Sequence, residues 1–170
     1  MHLFGIGYDV HQLVAGRPLV LGGVTIPHDR GLDGHSDADV LCHAIADAAL
    51  GAIGERDIGF HFPNTDESIR GISSLEILRR VALILSEKQA RVTNIDATII
   101  AEEPRMAPHV PKMREKIADA LKLPIERVGV KATTNEMLGF LGRGEGIAAM
   151  AVAGVEQHEP PTETQQRVIA

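Results

Sequence analysis

Residues 3–13 read LFGIGYDVHQL. Ile6, Tyr8 and Val10 fall on one side of an alternating pattern and Gly7, Asp9 and His11 on the other, so the period of two predicts a strand. Working outward, residues 17–27 (RPLVLGGVTIP) predict a hairpin that turns at Gly22-Gly23. Ser36, with Asp39 three residues on in a capping-box arrangement, predicts a helix start. That helix runs through Val40, Leu41, Ala44, Ile45 and Ala48 to a stop near Gly51 or Gly54. Ser73 with Glu76 opens a second helix, whose expected apolar face is Leu75, Leu78, Ala82 and Leu85. Residues 92–101 are rich in β-branched side chains and predict a strand. A third helix begins near Pro108 to Pro111, carries Val110, Met113, Ile117 and Leu121 on one side and ends before Pro124. Residues 128–133 and 147–155 predict further strands, the last apolar throughout, as expected for a strand covered on both faces. Strands and helices interleave. The expectation is an α+β two-layer sandwich, a mixed β-sheet with helices on one face. Residues 1–157 read as one domain and 158–170 as a polar tail.

The composition narrows the function. A chain of 170 residues can bury a core without staples. Four Phe, one Tyr and no Trp leave few rings on which bases could stack, and a net charge of −6 repels polyanions, so nucleic acid is not an expected partner. No run of 18 apolar residues and no signal-like N-terminus is present, so no membrane association is expected. The single Cys42 excludes an intramolecular disulfide framework. These features predict a cytoplasmic protein. An anionic substrate is compatible with them where metals or a few Lys and Arg supply local positive charge.

Asp9 and His11, at i and i+2 on a strand, point the same way from backbone positions about 6.6 Å apart and can reach one ion. A third ligand must come from another element, and His43 on the first predicted helix is the candidate. Asp39 and Asp47 lie four residues to either side of it, where either carboxylate could accept its second ring N–H. Two histidines and a carboxylate form a known catalytic zinc set with a fourth position open. Each piece alone has a bland explanation: a chance D-x-H on a strand, a satisfied core histidine. The glycines of 139–146 (GFLGRGEG) permit backbone N–H groups to face an anion, or make two tight turns. Thr133 and Thr134 can donate to phosphate oxygens, and Glu136 can hold a hard divalent ion. Equally, they can form a polar turn at a strand end. His35-Ser36 precede the positive end of a helix, or Ser36 is a plain cap.

Five segments together, GYDVHQL (7–13), GHSDADVLCHAIADAALGA (34–52), DIGFHFPNTD (57–66), IIAEEPRMAPHVPKMR (99–114) and KATTNEMLGFLGRGEGIAAMAV (131–152), resemble the 2-C-methyl-D-erythritol 2,4-cyclodiphosphate synthases of the non-mevalonate isoprenoid pathway. The resemblance covers nearly all of 1–156 in matching order. It implies cyclisation of 4-diphosphocytidyl-2-C-methyl-D-erythritol 2-phosphate to the 2,4-cyclodiphosphate with release of CMP. It implies one Zn²⁺ per subunit on Asp9, His11 and His43, and a second divalent ion, Mg²⁺ or Mn²⁺, on Glu136. His35 and Thr134 would stabilise the transition state. Substrate contacts would come from Asp9, His11, His35, Ser36, Asp57, Ile58, Gly59, Phe62, Pro63, Asn64, Thr65, Asp66, Ala101, Glu102, Glu103, Pro104, Arg105, Met106, Ala107, Thr133, Thr134, Asn135, Glu136, Phe140 and Arg143. The implied assembly is a homotrimer with sites at subunit junctions, the zinc side from one chain and the cytidine side from its neighbour. Asn64, Arg105, Ala107 and Asn135 depart from the residues usual in the family at those positions, and none is a proposed metal ligand. The same three ligands would also serve a zinc hydrolase with Asp47 or Glu136 as base, or a structural metal site in a binding protein.

Overall fold

The computed structural model describes residues 1–63 and 65–158. Its elements are β1 (His2–Ala15), β2 (Leu19–Leu21), β3 (Val24–Ile26), β4 (Arg30–Leu32), α1 (Val40–Ala52), α2 (Ile58–His61), α3 (Ser74–Glu87), β5 (Ala90–Ile100), α4 (Val110–Leu121), β6 (Val128–Thr133), α5 (Gly139–Gly142) and β7 (Gly146–Gln157), with 3₁₀ turns at Glu67–Ile69 and Ile125–Arg127. Five strands form one sheet in the order β4-β1-β7-β5-β6. It is mixed: β5 and β6 run parallel across the α4 crossover, and the other pairs are antiparallel. Helices α1, α3 and α4 cover one face, α1 lying on β1 and β7, α3 on β5 and α4 on β6. The expected α+β two-layer sandwich is therefore the observed architecture. The expected tail lies, from residue 159 on, outside the described residues. Among the described residues no helix is long and apolar enough to cross a membrane.

The β1–α1 contact is unusually close. A Cβ on Gly5 would lie 2.0 Å from the Ala48 carbonyl oxygen, and one on Gly7 would lie 2.0 Å from that of Ala44. The alternation seen in the sequence thus puts two hydrogens where side chains would stand, and the small residues of α1 meet them. Helix α1 is apolar almost all round and buried, as a helix at the centre of a core must be. The hairpin turns at Gly22-Gly23 as expected, both at positive φ (56° and 70°).

Three expectations need correction. The first helix starts at Asp39, not Ser36: Ala38 has φ 56°, which no right-handed helix can contain, and the Asp39 carboxylate accepts the Cys42 N–H. Asp39 also accepts from the N–H groups of Gly22 (2.9 Å) and Gly23 (2.6 Å), so one buried cap ties the hairpin to α1. The buried face of α3 is Ser74, Ile77, Leu78, Val81 and Leu85, turned from the expected stripe, with Leu75 and Ala82 at its margin. Finally, β7 is not covered on both faces: Met150 and Val152 stand 43% and 45% exposed. Opposite them in register are Tyr8 and Ile6 of β1, continued by Phe4 and Val10, all exposed. The sheet's second face is therefore an open apolar stripe.

The β1–α1 contact yields a stability prediction. Gly7→Ala should lower unfolding free energy by about 1–3 kcal/mol, the usual cost of overpacking. Gly51→Ala, on the same helix with nothing near its added Cβ, should be neutral or stabilising by up to about 1 kcal/mol. Urea unfolding at one protein concentration reads both signs.

Candidate functional site

Strand β1 carries Asp9 and His11 on its helix-facing side, and α1 brings His43 to them. Asp9 Oδ2 lies 3.0 Å from His11 Nε2 and 2.9 Å from His43 Nδ1, and the two nitrogens are 3.3 Å apart. Corners of a tetrahedron about 2.1 Å from a common centre are about 3.4 Å from one another, so these three atoms are spaced as ligands of one zinc-sized ion. The tautomer of His11 agrees. Its Nδ1 faces the Asp33 carbonyl, which can only accept, so Nδ1 carries the proton and Nε2 presents a lone pair to the cluster. The three residues form a group able to hold a metal ion.

The electrostatics of the cluster follow from crowding. Burial works against charge on Asp9, but the His11 and His43 rings, which hydrogen-bond to it and carry positive charge when protonated on the facing nitrogens, outweigh it and hold the carboxyl far below the usual carboxylate range. Burial likewise works against charge on His11, and the Asp9 carboxylate outweighs it, moving the imidazole upward. A carboxylate that stays ionised is the acceptor-only donor set a hard cation needs.

His43 Nε2 does not meet Asp39 or Asp47, which correlates with their other duties. Asp39 caps α1, and Asp47 Oδ1 accepts the Ile58 N–H at 2.8 Å. Burial pushes the carboxyls of both upward. Nε2 lies instead 3.0 Å from Ser74 Oγ and 3.1 Å from Ser36 Oγ. The sequence reading missed Ser74 because it is 31 residues away in the chain. Arg17 was missed too: its guanidinium donates to the carbonyls of Gly34 and Ser36, both at 2.9 Å, and so clamps the loop carrying His35.

A cavity of about 230 Å³ opens on the cluster, lined by Asp9, His11, His35, Ser36, His43, Ile58, Gly59 and Phe62 together with Ile69, Ile72 and Ile77. His35 Nε2 is buried there with no hydrogen-bond partner, a polar atom left for a ligand. Asp57 caps α2 and accepts the Phe60 N–H, which presents the backbone of Ile58 and Gly59. Pro63, Thr65 and Asp66 follow and are exposed. Asn64 lies outside the described residues.

Of the other expected contacts, none of residues 101–107 or 133–136 lines this cavity. Thr134 Oγ donates to Glu136 Oε1 at 3.0 Å on the surface beyond β6. Glu136 and Met137 both adopt positive φ (51° and 61°). Glu102 Oε1 accepts the N–H groups of Asn135 (2.9 Å) and Met137 (3.2 Å), binding the 101–107 and 133–137 segments to each other. Ala101 and Met106 are buried, Glu103, Arg105 and Ala107 are more open, and Glu103-Pro104 is cis. Thr133 closes β6, with its carbonyl accepting the Ala101 N–H. Phe140, on α5, lies beside Val10, His11 and Gln12 at another cavity, and Arg143 pairs with Glu145 at 2.7 Å. Within one chain the Asp9–His11–His43 group and the Thr134–Glu136 group thus remain apart.

Comparison with known proteins places this geometry. The 2-C-methyl-D-erythritol 2,4-cyclodiphosphate synthase of Alkaliphilus metalliredigens is 60% identical over 153 residues, spanning 90% of this chain and 96% of that protein. The bifunctional IspDF from Campylobacter jejuni superposes with a TM-score of 0.89 at 39% identity; the match covers 94% of this chain and 43% of that one. IspF from Plasmodium falciparum, solved as a CDP complex, gives a TM-score of 0.81 at 30% identity over 93% of this chain and 97% of its own. A family model matches residues 3–156, and the chain belongs to the YgbB family.

Proposed function

We propose that the chain has the activity of its curated relatives, 2-C-methyl-D-erythritol 2,4-cyclodiphosphate synthesis. Its substrate would be 4-diphosphocytidyl-2-C-methyl-D-erythritol 2-phosphate and its products the cyclic diphosphate and CMP. The observation that carries the reading is the convergence of Asp9, His11 and His43 beside the unpartnered His35 Nε2. The substrate's 2-phosphate oxygen attacks the β-phosphorus, the bond from that phosphorus to the CMP oxygen breaks, and its electron pair leaves with CMP. A phosphate is already ionised at neutral pH, so no protein base is required.

The difficulty is charge. Two unit charges 4 Å apart repel by about 4 kcal/mol at an effective dielectric near 20, and phosphates carry more. Zn²⁺ on Asp9, His11 and His43 and Mg²⁺ or Mn²⁺ on Glu136 would supply Lewis-acid polarisation and neutralise the diphosphate. His35 and Ser36 would donate to phosphate oxygens inside the cavity, and Thr134 would donate to the transferring phosphoryl group. Ile58 and Gly59 would hold the erythritol side, with Asp57, Phe62, Pro63, Thr65 and Asp66 around it. The 101–107 and 133–136 segments would form the cytidine side, and Phe140 and Arg143 would add further substrate contacts. Holding both phosphates in one site makes the attack intramolecular.

Self-association supplies what one chain lacks. The open stripe of Phe4, Ile6, Tyr8, Val10, Met150 and Val152 is a contiguous apolar patch of the kind that marks an interface. The reading is a homotrimer packed through this face, with the Thr134–Glu136 group of one subunit facing the metal-ligating group of the next, in the cytoplasm.

His43→Ala should lose bound zinc and lower turnover by at least about a thousandfold, some 4 kcal/mol, with the fold retained. Phosphorus NMR of the substrate mixed with enzyme, with and without chelator, reads it: cyclic diphosphate plus CMP supports cyclisation, and a linear product supports hydrolysis. Thr134→Val should lower kcat more than it raises KM if the hydroxyl acts in the transition state. Ile6→Asp combined with Val152→Asp should shift the sedimentation of the wild-type trimer to that of a monomer and abolish turnover, while zinc content per chain is unchanged.

A further inference from the structure

The loop before α1 and the start of α3 are laced together. Gly71 N–H donates to the His35 carbonyl (2.9 Å) and Asp37 N–H to the Ile72 carbonyl (3.1 Å). Ser73, the N-cap of α3, makes no side-chain capping bond. The Asp37 carboxylate caps α3 from outside instead: Oδ2 accepts the Ser74 N–H at 3.0 Å, and Oδ1 accepts the Ser74 hydroxyl proton. Ser74 is fully buried, and its Oγ lies 3.0 Å from His43 Nε2.

Proton bookkeeping then has one solution. A carboxylate only accepts, so the hydroxyl proton of Ser74 points at Asp37 and the lone pairs of Oγ point at His43. Nε2 must be the donor there. With its proton on Nε2, a neutral imidazole keeps a lone pair on Nδ1, the atom 2.9 Å from Asp9 Oδ2 and 3.3 Å from His11 Nε2. Resting on the metal-site reading, we infer that Asp37 and Ser74 are positioning residues that act through His43: the carboxylate polarises the serine hydroxyl, and the hydroxyl fixes the imidazole as an Nδ1 ligand. A carboxylate or carbonyl usually does this for a metal-bound histidine directly. Here the fold inserts a hydroxyl between them.

Asp37→Asn reverses the polarity. The amide NH₂ would face a backbone N–H in either position, that of Ser74 at Oδ2 (3.0 Å) or that of Asp39 at Oδ1 (3.3 Å); the Oδ1 contact is the longer and weaker, so the NH₂ takes that position and donates to Ser74 Oγ. The Ser74 proton is then driven toward His43 Nε2, which opposes protonation of that nitrogen and ligation through Nδ1. Ser74→Ala removes the relay but leaves Ser36 Oγ, 3.1 Å from Nε2, as an acceptor. The ordering is therefore specific. Asp37→Asn should weaken zinc binding by about 10–100-fold. Ser74→Ala should weaken it less, and the double variant should match Ser74→Ala, because reversed polarity has no route without the hydroxyl. A role in folding alone would make the two losses add.

The experiment is competition for Zn²⁺ between a fluorescent chelator and each full-length protein, with unfolding of the metal-free forms measured alongside. Nitrogen-15 NMR of the zinc-loaded wild type reads the His43 tautomer and serves even if a variant does not fold. Nε2–H with Nδ1 ligation and the stated ordering support the inference. Equal affinities, additive losses or ligation through Nε2 overturn it. A wild-type chain that takes up no zinc overturns the metal-site reading itself, and this inference with it.

Discussion

The closeness of β1 and α1 is the constraint on which the site rests. Three ligand atoms within 3.3 Å of one another must come from a strand and a helix whose backbones would ordinarily be held apart by side chains. Gly5 and Gly7 remove those side chains on the strand, and Ala44 and Ala48 keep the helix surface low. The residues able to hold a metal ion can then be short. An aspartate and two imidazoles reach a common point without long, rotamer-rich arms, so little conformational entropy is lost in ordering them. The same tight interface makes α1 the most enclosed helix of the fold, and its fixed position carries over to His43.

Around that point the protein distributes its polar groups so that each buried one has a task. Asp39 joins hairpin to helix, Asp47 holds the first turn of α2, Asp37 caps α3, and Arg17 grips two carbonyls of the loop carrying His35. Three of these are carboxylates close to the cavity, in a chain whose net charge is −6. Their charge is spent on backbone N–H groups, so that Asp9 stands as the carboxylate of the cavity lining among imidazoles, a hydroxyl and apolar side chains.

Much of this was legible in the sequence, for reasons that can be named. Alternation placed Asp9 and His11 on one side of a strand, and a Gly-Gly pair placed the hairpin, because both depend on nearest neighbours alone. The start of α1 was misread because Ser36 and Asp39 are both competent caps, and the choice is made by Ala38 entering the left-handed region. The partner of His43 Nε2 was sought among residues four away on the same helix, whereas a hydroxyl from another helix fills that place. Periodicity reports which residues share a face, not what arrives from elsewhere to cover it. For the same reason an apolar β7 looked enclosed: composition alone does not tell a strand covered on both faces from one with a face left open.

Glu102 shows how little separates the two loops beyond β5 and β6. A single carboxylate oxygen receives two N–H groups of the 135–137 turn. Bonds to a charged acceptor are worth about 1.5–3 kcal/mol each. Neither loop can move outward alone without forfeiting both, so the two segments are fastened to each other at the ends of β5 and β6.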